Sequence, residues 1–211
     1  MDMTEALDLH LDLADYRREV AALYAQVRAH HDPEAARAHW LAVRNLLFST
    51  HPSSPIAAAD RVAWPGLLAF AYDPTWRIEV EVRPPADDEP SVGIAHSADG
   101  ATQARAVGQV TIERDGASAD LTVYWLDQYG GGLFLPFRDA TGGTSTYGGG
   151  RYLLDGAKSA DLGGTDRTLV LDFNLAYHPS CFHDPRWSCP LAPPGNHLPF
   201  RVEAGERAAQ A

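Results

Sequence analysis

The sequence predicts an α+β, mainly β chain, in which two N-terminal helices precede an antiparallel sheet that closes into a sandwich or barrel. Three observations carry this reading. Apolar residues recur at helical spacing up to Leu47, the period changes to two from Trp76, and the turn triplet Arg114-Asp115-Gly116 separates two alternating runs.

The first helix rests on Leu13, Tyr16, Val20, Leu23, Tyr24 and Val27, which share one face while Arg17, Arg18 and Glu19 fall on the other. Asp32 offers an N-cap and Pro33 a first-turn residue for the second helix. Its stripe of Ala36, Trp40, Val43 and Leu47 stops before His51-Pro52. Residues 1–50 thus read as a helical segment packed on the main domain, and residues 51–211 as a β-rich domain.

Trp76, Ile78, Val80 and Val82 alternate with Arg77, Glu79, Glu81 and Arg83, the pattern of a strand with one wet face. Prolines and acidic residues make 83–104 a loop, with a short strand near 92–96. Residues 107–113 and 121–125 form a hairpin around the Asp-Gly turn. Runs at 133–138, 151–154, 169–176 and 198–203 complete about seven strands, and Pro136 places its strand at an edge or a bulge because it lacks a ladder donor.

A formal net charge of −11 disfavours nucleic acid and anionic membrane surfaces as partners. The acidic N-terminus lacks the basic start and apolar run of a signal peptide, and no stretch approaches eighteen consecutive apolar residues. The expected location is therefore the cytoplasm, where thiols stay reduced. Oligomeric state is not legible.

Polar, aromatic and glycine residues concentrate in the last third. Strand alternation over 169–176 places Asp172 and Asn174 on one surface, about 7 Å apart. Arg138, Asp139, Tyr147 and Arg151 lie in adjoining strand ends and loops, where arginine forks and tyrosine hydroxyls give fixed donors. Such a set either binds a ligand or holds the loop together as a structural network. Gly148-Gly149-Gly150 permits close backbone approach, but neither the dinucleotide nor the P-loop motif is present.

Cys181 and Cys189 are the two cysteines, with His178, His183 and His197 nearby. The spacing fits no standard zinc knuckle, so no metal is expected and the thiols read as free. No nucleophile elbow, zinc-protease helix or kinase loop occurs, and no motif implies a cofactor.

Several spaced segments resemble the domain of unknown function family 1684. Its pattern runs FRD-x-T-x-G, TY-x-x-GR, DFN-x-AYNP-x-C, CP-x-PP-x-EN and AGE. It is matched by Phe137-Arg138-Asp139, Thr146-Tyr147 with Gly150-Arg151, and Asp172-Phe173-Asn174 with Ala176-Tyr177 and Cys181. The match continues through Cys189-Pro190, Pro193-Pro194, Asn196 and Ala204-Gly205-Glu206. His51-Pro52 with Ser54-Pro55, and Tyr72-Asp73-Pro74, resemble upstream segments of the same family. The resemblance implies a β-rich domain with no established activity, in a short form without the extra N-terminal β module. His178 departs from the usual Asn, Phe182-His183 from an Ala and an aromatic residue, and Gly195 from a Glu.

The leading expectation is a pocket for a small polar or anionic ligand. It would be built from Arg138, Asp139, Tyr147, Arg151, Asp172, Asn174, Tyr177, His178 and Asn196, under a cover formed by 181–196. Whether the chain is an enzyme is left open. One alternative is a small-metabolite hydrolase or isomerase with Asp139 or Asp172 as base and Tyr147 or His178 as acid. A second is a metal or thiol redox module using Cys181, His183 and Cys189.

Overall fold

The computed structural model describes residues 2–85, 91–127 and 129–209; the stretch 86–90 of the expected loop lies outside them. Helix α1 (Met3–Ala29) begins well before Leu13 because Asp2 and Glu5 build a reciprocal cap. The Asp2 carboxylate accepts from the Thr4 and Glu5 amides at 2.7 and 2.9 Å, and Glu5 accepts from the Asp2 amide at 3.0 Å. Helix α2 (Pro33–Thr50) starts at the Asp32 cap with Pro33 in its first turn. The two helices pack as a hairpin through Val20, Leu23, Tyr24, Val27, Ala36, Trp40 and Phe48. Among the described residues no helix is long and apolar enough to cross a membrane.

The strands are β1 (Leu68–Ala69), β2 (Arg77–Glu81), β3 (Val92–Ala95), β4 (Ala101–Arg114), β5 (Ala117–Leu126), β6 (Leu133–Phe137), β7 (Arg151–Asp155), β8 (Thr168–Asp172) and β9 (Glu206–Arg207). They form one five-stranded antiparallel sheet in the order β3-β4-β5-β6-β7 and two antiparallel pairs, β2-β8 and β1-β9. The class is α+β and mainly β. Of the two expected closures, sandwich or barrel, no closed barrel forms among the described residues, since the five-stranded sheet ends at β3 and β7.

The sheet is covered on both faces. Ile94, Ala104, Tyr124, Leu126, Phe134 and Tyr152 pack with the helical hairpin, whereas Val110, Ile112, Leu121, Val123, Leu135 and Phe137 pack with Leu169 and Leu171 of β8. A bulge between Ala106 and Gly108 makes this possible. An extra residue flips the alternation, so β4 gives Ala104 to the helical side and Val110 and Ile112 to the other. At the flip the chain closely crosses the segment just after β2, because a Cβ on Gly108 would lie 2.3 Å from Val82 Cγ1.

Three sequence expectations need correction, and a fourth is decided between its two alternatives. Residues 101–104 belong to β4 rather than to a loop. The strand expected over 169–176 ends at Asp172, and Phe173–Leu175 is a 3-10 turn that the Asp172 carboxylate caps by accepting from the Asn174 amide. No strand runs through 198–203; the segment is tied to β6 by paired bonds around Arg138, and the strand comes later, at β9. Pro136 sits at a register shift in β6, which is internal rather than at an edge. Its missing donor matches the bulge.

The crossing at Gly108 gives a direct test. Gly108→Ala is expected to destabilise the fold by about 1–3 kcal/mol through overpacking, read as a lower urea midpoint. Adding Val82→Ala recovers part of that loss if the contact is the cause.

Candidate functional site

The carboxylate of Glu206 is fully buried and fully engaged. One carboxylate oxygen accepts from Arg44 Nε and Nη2 at 3.0 and 2.6 Å, and the other accepts from the His178 amide at 2.8 Å. The Arg44 guanidinium lies 4.8, 5.0 and 4.6 Å from the ring centroids of Trp40, Phe48 and Tyr177. The backbone carbonyl of Glu206 accepts from Arg151 Nη1 at 3.1 Å. Arg151 is itself buried, donating also to the carbonyls of Ala204 and Val202 and to Asp139 Oδ1 at 3.3 Å. Asp139 in turn accepts from the Val202 amide at 2.7 Å and from Thr141.

Gly205 holds this corner. Its φ is +77°, and a Cβ there would lie 2.5 Å from the Ala176 carbonyl oxygen. His178 is buried alongside, with Nε2 accepting from the Tyr147 amide at 3.2 Å. Its ring proton therefore sits on Nδ1, which is 3.7 Å from Glu206 Oε2. Burial first, and then the charge of Arg151, hold His178 well below the usual imidazole pKa, so this contact is not an ion pair at neutral pH.

Asp172, Asn174 and Asn196 belong to separate networks. Asp172 accepts from Arg77 Nη1 at 3.2 Å and from Asn174 Nδ2 at 2.9 Å, and Asn174 exchanges bonds with the Asp73 backbone. Asn196 acts as a piece of sheet backbone, donating to the Thr122 and Pro136 carbonyls and accepting from the Thr122 amide. The Tyr177 hydroxyl donates to Asp155 at 3.0 Å. Arg138 has a buried Nε without a partner. Tyr177 and His178 border a cavity with Arg44 and Lys158, but its volume of about 40 Å³ suits ordered water rather than a metabolite. Asp172 and His178, one of the expected base and acid pairings, thus serve different networks.

The chemically available groups stand at the thiols. Helix α3 (Ser180–His183) carries partly exposed Cys181, whose amide donates to Sγ of buried Cys189 at 3.3 Å. Cys189 is held by Ser97, which accepts from its amide at 3.1 Å and donates its own amide to the Cys189 carbonyl at 2.9 Å. Hydrogen bonds to its sulfur, first from Cys189 and then from Ser97 and Tyr147, bring the Cys181 pKa down to about 6. The same thiolate, aided by burial, pushes the Cys189 pKa far up. The Tyr147 ring lies 5.6 Å from Phe182, which stacks 4.1 Å from His178. His183 packs edge-on against Phe48, and burial lowers its pKa to about 4. Among the described residues no three His, Cys, Asp or Glu side chains are grouped to hold a metal ion.

A family model described as "Protein of unknown function (DUF1684)" matches residues 62–207. The chain belongs to this family. The DUF1684 segment contains both thiols, Ser97, Tyr147 and Glu206, whereas Arg44 reaches Glu206 from outside it. The chain is also similar to an uncharacterized protein of Haloarcula marismortui, solved by solution NMR. The two are 36% identical with a TM-score of 0.56, over 80% of this chain and 90% of that one. No curated protein matches.

Arg44, Glu206 and Ser97 were not among the sequence candidates. Arg44 had a legible signal, since it occupies the position four residues after Trp40 on an otherwise apolar stripe. Ser97 had none, because only the fold brings it to the cysteines.

Removing the Glu206 charge leaves Arg44 buried and unpaired, so Glu206→Gln is expected to destabilise the protein by about 3–5 kcal/mol in urea titrations. A separate expectation concerns acid. His178 and His183 are neutral when folded below the pH at which they protonate when unfolded. The unfolded chain therefore binds more protons, and stability falls as pH drops from about 6.5 toward 4. Urea midpoints measured across that window check the slope, which His183→Phe should reduce.

Proposed function

We propose that the chain is a thiol–disulfide exchange module, with Cys181 as the attacking thiolate and Cys189 as the resolving thiol. The observation that supports this reading is the pairing of a partly exposed and a buried cysteine, with the Cys181 amide donating to the Cys189 sulfur at 3.3 Å and the exposed thiol's pKa brought down to about 6. Low thiolate pKa and partial exposure are what attack requires.

The chemistry balances with a disulfide as co-reactant. Cys181 thiolate attacks one sulfur of the partner disulfide, forming a mixed disulfide and expelling one partner thiolate. That step removes the charge that kept Cys189 protonated, so its pKa drops toward the ordinary thiol range. Cys189 then transfers its proton to the released thiolate and attacks Cys181 Sγ. The second partner thiolate leaves, the partner is reduced, and the Cys181–Cys189 disulfide remains.

Tyr147 acts as a positioning residue in this reading. Its backbone amide is held by His178 and its ring by Phe182, and its hydroxyl is among the groups that lower the Cys181 pKa.

Iodoacetamide alkylation against pH tests the proposal, with Cys189→Ser and Cys181→Ser assigning the reactive thiol. The expected result is an apparent Cys181 pKa near 6, shifted upward by Tyr147→Phe. Oxidised glutathione should convert the native chain to an intramolecular disulfide and leave Cys189→Ser as a glutathione adduct. An alkylation pKa in the ordinary thiol range of about 8.5, or no intramolecular disulfide, refutes it.

A further inference from the structure

Helix α1 carries one apolar seam at alternating spacings of three and four: Ala6, Leu9, Leu13, Tyr16, Val20, Leu23 and Val27. Its second half is consumed by the fold, with Val20, Leu23 and Val27 buried against α2 and the sheet. Its first half is not: Leu9 and Leu13 are 51% and 43% exposed. Beneath this half lies a groove of about 380 Å³, walled by Leu9, Leu13, Pro52, Ser53 and Trp187. Ser53 is nine-tenths buried, yet its hydroxyl has no partner. The far wall is fixed, since Arg186 Nη2 donates to the Ser54 carbonyl at 2.9 Å and Trp187 Nε1 to the Pro55 carbonyl at 3.3 Å.

We infer that this half-seam and its groove are the docking surface for an amphipathic helix of another protein, whose apolar face is flanked by basic side chains. Two observations select that occupant. The seam is continuous with one already packed in helix-against-helix fashion, so a helical ridge is the shape that extends it. The first sixteen residues contain Asp2, Glu5, Asp8, Asp12 and Asp15 but no Lys or Arg, so the rim complements basic flanks. A second copy of the chain would set these carboxylates against themselves. The unpaired Ser53 hydroxyl offers a polar anchor at the groove wall. None of this depends on thiol chemistry, although Trp187 belongs to the loop joining the two cysteines.

The test uses the full chain and a fluorescein-labelled leucine–lysine peptide of amphipathic helical pattern. Its comparators are a scrambled leucine–lysine sequence and a leucine–glutamate helix. Anisotropy should show binding of the amphipathic basic peptide, at least tenfold weaker binding of the scrambled one, and none of the acidic one. Leu9→Asp with Leu13→Asp should weaken binding at least tenfold while leaving the thermal midpoint unchanged, because both side chains are exposed. Those substitutions add carboxylates, so attraction by charge alone predicts tighter binding, and that result overturns the inference. It is equally overturned by absence of binding, or by a dimer in sedimentation that the double substitution dissolves. Repeating the titration with Cys181→Ser and Cys189→Ser separates it from the proposed exchange activity: docking should persist.

Discussion

The buried carboxylate of Glu206 is the constraint on which the rest of the structure depends. An ionised group removed from water must be matched by donors, or the folded state loses several kcal/mol. Here the match is assembled from elements far apart in sequence: the Arg44 guanidinium from α2 and the His178 amide after β8. The residue's own carbonyl meanwhile engages Arg151 of β7. The charge therefore works as a clamp between the helical hairpin and the sheet. Aromatic rings around Arg44 supply the apolar walls while their negative faces meet its charge.

That clamp also sets the geometry of the thiols. Glu206 holds the His178 backbone, His178 holds the Tyr147 amide, and Tyr147 reaches Cys181. Four residues thus link a buried ion pair to a partly exposed sulfur. His178 takes part as a neutral ring, because burial and Arg151 suppress its protonation. Ser97, from the segment between β3 and β4, closes the other side. The sulfur is activated by groups that the fold has already immobilised, as a reactive thiol requires.

The sheet serves two layers because β4 changes face partway along. A single extra residue before Gly108 sends Ala104 toward the helices and Val110 toward β8. Among the described residues β2 and β8 lie across one face as a separate pair instead of completing the five-stranded ladder.

By itself the sequence determined both helices, the β-rich remainder, the hairpin around Asp115-Gly116 and the family. Each of these rests on local periodicity, capping or turn chemistry, which neighbouring residues specify. Tertiary structure alone decided what the polar residues do. Alternation suggested that Asp172 and Asn174 shared a strand face, but the Asp172 carboxylate caps a turn and ends the strand there. Arg151, Asp139 and Asn196 looked available for a ligand, yet each is bonded to backbone groups of residues up to 74 positions away. A hydrogen-bonding side chain carries no mark in the sequence of whether its partner is a ligand or a distant carbonyl, because that depends on which segments the fold brings within about 3 Å.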